Sequence, residues 1–326
     1  MSVTAAQGFR AAGVRAGLKA SGKPDLALVI NDGPLDTAAG VFTTNRVVAA
    51  PVVWSRRLLA GQDGGQPGHA RAVVLNSGSA NACTGAQGLE DTEATAAHAA
   101  GLLGAEPGQV LVCSTGVIGQ RIDMPVLLEG VDVAALALAD TAQAGTDAAT
   151  AIMTTDTVSK EDALTVGASH QSWTIGGMIK GVGMLAPGMA TMLAVITTDA
   201  VLTPQQAQNA LASATARTVN RINSDGCMST NDTVLLLASG ASDVTPSQAE
   251  LDEALTEVMS RLGRRLVADA EGATHDIAIT VSGAVSEEAA EAAARTVSSS
   301  NLLKCAVAGA DPNWGRILSQ LGTVPE

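Results

Sequence analysis

Short apolar runs bounded by turn residues recur along the chain, and they are too short to form helices. Seven such runs are rich in Val, Ile and Leu: Leu26–Ile30, Val47–Val53, Ala72–Leu75, Val110–Cys113, Met192–Thr197, Thr233–Leu237 and Ile277–Val281. Their nearly unbroken apolar character predicts buried strands.

Ala-rich segments of helical length lie between these runs. Helices are predicted over Ala94–Leu103, Val126–Thr141, Gln205–Ile222, Gln248–Ala270 and Glu287–Val297. Two of them begin with Thr-Pro and carry Gln three residues after the Thr, at Thr203–Gln206 and Thr245–Gln248. That spacing predicts Thr at the N-cap and Pro at the first helical position. Strands interleaved with helices in this way predict an α/β fold.

The composition constrains the core and the possible partners. The 326 residues are 46% hydrophobic but only 2% aromatic, with no Tyr, so the core must be packed from Ala, Val, Leu, Ile and Met. The chain has a net charge of −13 and few aromatic rings, whereas nucleic-acid-binding proteins are typically basic and use aromatic rings to stack on bases. We therefore expect no nucleic acid as a partner.

The chain also lacks the usual signals for a membrane or for export. It has no long uncharged apolar run of the length that a membrane span needs, and its first residues lack the features of a signal peptide. Its four cysteines are scattered, with no C-x-x-C pair, which argues against a zinc site or a disulfide framework. We therefore expect reduced thiols and a cytoplasmic protein without membrane partners.

Common catalytic motifs are missing from the sequence. There is no phosphate-binding G-x-x-x-x-G-K-[ST], no G-x-S-x-G and no S-x-x-K. The four histidines lack metal-ligand spacing, and we interpret all four as surface or core residues. Ser-His-Asp catalysis has weak support and a metal site almost none.

Small polar residues embedded in apolar sequence are the best candidates for chemistry. They occur in four segments: Val112–Gly119, Gly177–Asp199, Asp225–Thr233 and Asp269–Thr274. In the first, backbone N–H groups at Ser114–Gly116 and the Thr115 hydroxyl can bind an anion, although an ordinary strand-to-helix turn explains it equally well. In the second, Lys180 lies among glycines and Thr191 opens an apolar strand, a pattern that a Gly-rich turn also explains. No segment is decisive alone.

Taken together and in order, the segments resemble the ornithine acetyltransferase family of arginine biosynthesis. The resemblance covers nearly the whole chain and rests on Gly8–Gly13, Leu18–Gly22, Gly40–Arg46, Leu75–Gly85, Ser114–Gly119, Ala151–Asp156, Lys180–Gly181, Met189–Leu193, Ser229–Asp232, Glu271–Thr274 and Asp311–Arg316. It implies an α/β layered sandwich of mixed sheets covered by helices, of the self-processing type that uses an N-terminal nucleophile.

The resemblance also implies a mechanism. The precursor would cleave itself between Ala190 and Thr191, giving an alpha chain of residues 1–190 and a beta chain of residues 191–326. The free amine of Thr191 would act as base for its own hydroxyl, which compensates for the missing His base. Thr191 would take acetyl from N-acetylornithine and pass it to glutamate without a cofactor.

The remaining roles implied by the resemblance fall on matching positions. Thr115 and Gly116 would form the oxyanion hole, and Thr154, Lys180 and Glu271 would bind substrate with Thr191. The cleaved chains would pair into a dimer of heterodimers, that is, a heterotetramer. The resemblance leaves open whether acetyl-CoA also donates acetyl to glutamate.

Two departures from the family pattern leave alternatives open. His275 stands where the family pattern has Lys or Arg. Family chains continue for several tens of residues after the segment matching Asp311–Arg316, and their tail closes over the substrate. This sequence ends at Glu326, so we expect those contacts to be missing from it. The alternatives are an N-terminal-nucleophile amidase or aminopeptidase and a truncated, inactive relative that binds amino acids.

Overall fold

Nine strands and nine α-helices form within the residues that the computed structural model describes, which are 2–168, 171–185 and 192–324. The strands are β1 (Phe9–Val14), β2 (Leu26–Asn31), β3 (Thr37–Phe42), β4 (Ala72–Ser79), β5 (Val110–Val117), β6 (Lys160–Val166), β7 (Trp173–Lys180), β8 (Leu193–Thr198) and β9 (Thr233–Ala238). The α-helices are α1 (Ala50–Leu59), α2 (Gly85–Leu103), α3 (Met124–Leu136), α4 (Ala142–Ala151), α5 (Pro204–Arg217), α6 (Gln248–Ala268), α7 (Glu287–Ser298), α8 (Asn301–Ala308) and α9 (Trp314–Leu321).

The strands form two mixed sheets. The first sheet has the order β1-β2-β4-β5, in which only β4 and β5 are parallel. The second has the order β3-β9-β8-β7-β6, in which only β8 and β9 are parallel. Strands from distant parts of the chain are therefore neighbours in the second sheet.

The two sheets stack face to face with helices outside them. In β8, Leu193 and Val195 pack into the core shared with the first sheet, whereas Ala194 and Ile196 pack against α5 and α6. The apolar side chains of α1, α2 and α3 join the core of the first sheet. Because β8 is buried on both faces, its sequence is apolar from Leu193 to Ile196, and the two threonines that end it are buried as well. This arrangement confirms the expected layered α/β sandwich.

Five of the seven predicted strands are present, and Val47–Val53 is wrong. Part of that run belongs to α1, which begins at Ala50 with Pro51 in its first turn. Proline lacks an N–H group, so it suits a helix start better than a central strand. Val52 and Ser55 are buried on the helix face that packs toward the first sheet, as is Trp54.

Ile277–Val281 is the other wrong strand prediction. These residues have no regular secondary structure, and no described strand lies beside them to accept and donate the hydrogen bonds of a ladder. Their apolar side chains line a cavity of about 760 Å³ between the end of α6, α7 and α8.

The helix predictions are confirmed in place but need three corrections. The helix predicted over Gln205–Ile222 is too long, because α5 ends at Arg217 and a separate 3-10 turn, Val219–Arg221, follows it. The segment Val126–Thr141 is not one helix, because α3 ends at Leu136 and the Thr141 hydroxyl caps the new helix α4. Thr203 caps α5 as predicted, with Gln206 completing the capping box. The N-cap of α6, however, is Ser247 and not Thr245, because Ser247 and Glu250 form their own capping box. None of the described helices has the length and apolarity that crossing a membrane requires.

Candidate active site

The end of β5 supplies the first part of the site. Ser114 and Thr115 are buried where the apolar run of β5 ends, and Gly116 follows with φ +132°. Gly116 lies opposite Gly78 of β4, and a Cβ added to Gly116 would lie 2.4 Å from the Gly78 carbonyl carbon. Only glycine fits this close approach of two backbones. The turn after Thr115 therefore depends on it.

Asn231 holds this end of β5 against the second sheet. Its buried side-chain amide donates to the carbonyl oxygens of Ser114 at 2.8 Å and Ala80 at 2.6 Å. The Ser114 hydroxyl in turn donates to Asn76 Oδ1 at 2.5 Å. A buried amide with both hydrogens used fixes the backbone that it contacts. The Thr115–Gly116 turn is thus held rigidly.

Lys180 brings the predicted residues together. It ends β7 and is 1% exposed, and its Nζ donates to Thr154 Oγ1 at 2.7 Å and to Thr115 Oγ1 at 3.4 Å. Burial lowers the pKa of Lys180, and the charge of Lys160 lowers it further, while Asp156 and Asp232 oppose the shift. Three residues from separate segments, Thr115, Thr154 and Lys180, therefore meet in a water-poor environment.

A buried carboxylate, Asp156, lies behind Lys180. Its Oδ2 is 3.8 Å from Lys180 Nζ, and its Oδ1 accepts from Lys160 Nζ at 2.7 Å. Burial by itself raises the pKa of Asp156, but Lys180, Lys160 and the Thr154 N–H outweigh it and hold the pKa at about 2. Asp156 is therefore ionised at neutral pH.

Lys160 connects this group to the end of α6. Its Nζ lies 2.6 Å from Asp269 Oδ2, and the side chain of Lys160 is fully buried. Asp269 also accepts hydrogen bonds from the backbone and hydroxyl of Thr157. Burial raises the pKa of Asp269, but the hydrogen bonds from Lys160 and Thr157 lower it to below its ordinary value. No role for Asp156, Lys160 or Asp269 follows from the sequence, although the four-residue spacing of Asp156 and Lys160 suits an ion pair.

Glu271 lies at the exposed edge of the site. Its N–H donates to Val182 O at 2.8 Å, and its Oε1 accepts from Thr155 Oγ1 at 2.7 Å. These contacts place Glu271 beside the residues that follow Thr154 and Lys180 in the chain. The structure thus brings Glu271 near the group but leaves its carboxylate accessible to solvent.

Ala190 and Thr191 lie outside the described residues, and Met192 and β8 follow them directly. Leu193 pairs with Lys180 across the antiparallel strands β7 and β8, so β8 begins at the end of the sheet where Lys180 lies. The Met192 N–H donates to Asp232 Oδ1 at 3.0 Å. Burial raises the pKa of Asp232 well above its ordinary value, and the Met192 N–H and nearby hydroxyls lower it only partly.

The three histidines that the structure describes and the four cysteines take no part in this group of side chains. His69 pairs with Asp36 at 2.8 Å and His98 with Asp132 at 2.7 Å, while His275 contacts the Thr274 hydroxyl, also at 2.8 Å. His170 lies outside the described residues. In the part of the chain that is described, no group of three or more His, Cys, Asp or Glu side chains is arranged to hold a metal ion.

Comparisons with known proteins agree with the resemblance. The model of the ArgJ family matches residues 10–326. The arginine biosynthesis bifunctional protein ArgJ of Bifidobacterium longum is 59% identical over 326 residues, which are 100% of this chain and 81% of that protein. The protein of the same name from Streptomyces coelicolor is 56% identical, covering 99% of this chain and 81% of its own length.

Solved structures give the same result. A crystal structure of ornithine acetyltransferase from Mycobacterium tuberculosis, complexed with ornithine, is 51% identical with a TM-score of 0.53. It covers 59% of this chain and 96% of its own. An l-aminopeptidase d-Ala-esterase/amidase from Ochrobactrum anthropi, described as a variant of the Ntn hydrolase fold, has a TM-score of 0.51 at 13% identity and shows the shared fold. The chain therefore belongs to the ArgJ family, and it is an acyltransferase of arginine biosynthesis.

Proposed function

We propose that the chain cleaves itself between Ala190 and Thr191 and that the freed Thr191 then carries acetyl from N-acetylornithine to glutamate. In the first reaction, Thr191 Oγ attacks the Ala190 carbonyl carbon and the peptide C–N bond breaks, leaving an ester. Water hydrolyses the ester and frees the Thr191 hydroxyl. The products are residues 1–190 and residues 191–326, the second with a new α-amine.

The observation that carries this proposal is the meeting of Thr115, Thr154 and Lys180 at the end of the sheet where β8 begins, two residues after Thr191. The length of a solved relative supports the cleavage position. The Mycobacterium tuberculosis chain matches 59% of the 326 residues, or about 192, and these are 96% of its own length, so that chain has about 200 residues. That length is close to the 190 residues that precede Thr191.

The second sheet explains why the two fragments would stay together after cleavage. β8 and β9 of the later fragment lie between β3 and β7 of the earlier one. Both central strands are fully buried and hydrogen-bonded on both sides. Separating the fragments would expose this apolar surface to water, which is strongly unfavourable.

Acetyl transfer then follows a ping-pong course. The α-amine of Thr191, with a pKa of about 7.7–8.0 in an ordinary N-terminus, takes the proton of its own hydroxyl. Thr191 Oγ attacks the acetyl carbon, the C–N bond to ornithine breaks, and the ornithine nitrogen takes the proton. The amine of glutamate attacks the acetyl-Thr191 ester, loses its proton to the Thr191 amine, and leaves as N-acetylglutamate while Thr191 recovers its hydroxyl.

The surrounding residues stabilise charge in these steps. Thr115 O–H and Gly116 N–H donate to the oxyanion of the tetrahedral intermediate. Lys180, with Thr154 beside it, provides positive charge for the substrate carboxylate, and the exposed Glu271 pairs with a substrate amine. Because Lys180 is buried, its charge acts in a medium that screens it weakly.

We further propose a cellular location, an assembly and a second acetyl donor for the enzyme. We place it in the cytoplasm, because all four cysteines are free thiols. Two cleaved heterodimers associate into a heterotetramer, and acetyl-CoA serves as a second acetyl donor to glutamate. Gel filtration with light scattering tests the assembly, and acetyl-CoA supplied without N-acetylornithine tests the second donor.

Intact mass spectrometry tests the cleavage. We expect the purified protein to give two fragments ending at Ala190 and beginning at Thr191, and Thr191→Ala to give one uncleaved chain. Thr165→Ala, which changes an exposed threonine of β6, serves as the matched control and should cleave normally. A single full-length mass for the unmodified protein contradicts the proposal and favours an inactive amino-acid-binding relative.

Isotope exchange separates the transferase from a hydrolase with the same nucleophile. With N-acetylornithine and labelled glutamate, a transferase releases ornithine and labelled N-acetylglutamate in equal amounts. An amidase or aminopeptidase releases acetate or another free acid, and labelled product does not accumulate. Release of ornithine without labelled product would therefore reject glutamate as the acceptor.

A further inference from the structure

Asp156 is the point at which the segments of the site are joined. Its Oδ1 accepts from Gly181 N at 2.7 Å and from Lys160 Nζ at 2.7 Å. Its Oδ2 accepts from Thr154 N at 3.0 Å and lies 3.8 Å from Lys180 Nζ. The side chain is fully buried, so one carboxylate fixes the backbone on both sides of the Lys180–Thr154 contact.

Four buried or nearly buried charges continue from this carboxylate in alternating sign. The order is Asp269, Lys160, Asp156 and Lys180, with separations of 2.6, 2.7 and 3.8 Å. Removing the charge of Asp156 would leave Lys160 and Lys180 facing each other without the anion between them. Breaking a buried group of this kind by removing one member is strongly unfavourable.

The directions of the hydrogen bonds around Lys180 determine where the hydroxyl hydrogen of Thr115 points. The ammonium of Lys180 can only donate, so Thr115 Oγ1 and Thr154 Oγ1 act as acceptors toward it. The Thr154 hydroxyl donates its own hydrogen bond to Asp156 Oδ2 at 3.4 Å. The hydrogen of Thr115 must then point away from Lys180, which makes it available to a ligand.

We infer that Asp156 is a positioning residue that holds Lys180 against Thr154 and Thr115 and thereby orients the Thr115 hydroxyl toward the oxyanion. The inference rests on the proposed function, in which that hydroxyl donates to the tetrahedral intermediate. Asp156 itself touches neither the substrate nor Thr191 in this scheme. It acts through Lys180.

The variant Asp156→Asn tests the inference, because it keeps the size of the side chain and removes its charge. We expect kcat for acetyl transfer per cleaved molecule to fall about 10- to 100-fold, less than the ~10²–10³ typical of losing an oxyanion donor itself. The double variant Asp156→Asn/Lys160→Met removes the unbalanced cation as well. We expect it to recover at least about fivefold in kcat over Asp156→Asn alone.

Asp199→Asn is the matched control, because Asp199 is also a buried aspartate that accepts backbone N–H groups, from Gln7 and Thr174. It lies just beyond the far end of β8, so its loss should lower Tm without lowering kcat measured well below Tm. If Asp156 were merely structural, Asp156→Asn would lower Tm without lowering kcat, as we expect for Asp199→Asn. A second contrary outcome is a double variant that changes Tm without recovering kcat. Either outcome overturns the inference.

Fragment analysis separates this test from the proposed function. If the unmodified protein is cleaved and transfers acetyl, a kcat within twofold for Asp156→Asn rejects only the role of Asp156. If the unmodified protein does neither, the proposed function itself has failed. If Asp156→Asn does not fold, Asp269→Asn is the alternative, because it removes the outermost of the four alternating charges. It should lower kcat by a smaller factor than Asp156→Asn would. An unchanged kcat for Asp269→Asn then rejects the inference.

Discussion

Gly116→Ala tests the predicted oxyanion hole at the backbone level. The added Cβ would lie 2.4 Å from Gly78 C, 2.6 Å from Gly78 O and 2.7 Å from Ser79 N. All three are main-chain atoms of β4, so no side chain can rotate out of the way. The ends of β4 and β5 must therefore separate by about 1 Å to restore ordinary contact, and a shift of that size can lower a rate about 10²-fold.

The same substitution also strains the backbone. The φ of +132° at Gly116 is a conformation that an alanine rarely adopts, which costs about 1–3 kcal/mol. Because the donor itself moves, we expect kcat for acetyl transfer to fall ~10²–10³-fold, or about 2.7–4 kcal/mol. The strain should lower Tm by roughly 2–10 °C.

The assay follows ornithine release from N-acetylornithine in the presence of glutamate, normalised to cleaved enzyme, with Tm measured on the same sample. Gly101→Ala is the control, because Gly101 lies on the exposed side of α2 with no neighbouring atom within 4 Å of its added Cβ. It should keep full activity and gain about 0.5–1 kcal/mol of stability. A kcat within threefold of the unmodified enzyme for Gly116→Ala would refute the assignment of Gly116.

Two further predictions concern buried groups. Lys180→Met should lower kcat/KM at least ~10²-fold while both fragments still form, because the charge beside Thr115 and Thr154 is lost. The control Lys23→Met changes an exposed lysine and should leave kcat/KM unchanged. Unchanged kinetics for Lys180→Met would remove Lys180 from the site. Burial raises the pKa of the Cys113 thiol to about 12, whereas the other three cysteines are exposed. Iodoacetamide should therefore add to three thiols in the native protein and to the fourth only after unfolding, as counted by intact mass. A fourth adduct at the native rate would contradict the buried position of Cys113.

Local sequence was sufficient where a segment's own pattern decides its structure. The strands β2, β8 and β9 are apolar except at their ends because both of their faces are buried, so the pattern predicts them directly. The Thr203 capping box is equally local, since its hydrogen bonds join residues three apart. The hydrophobic pattern did not predict β7, because Gly176 and Gly177 interrupt its apolar run; tertiary packing supports this strand.

Sequence by itself also determined the family, through an ordered set of short motifs, and with it the candidate residues Thr115, Thr154, Lys180 and Glu271. What only the tertiary structure decided is how those residues meet and what holds them. The chain from Asp269 through Lys160 and Asp156 to Lys180 joins segments up to 113 residues apart. Such contacts depend on the strand order of two sheets and on burial that turns isolated charges into a coupled group, and neither is encoded in the spacing of any single segment.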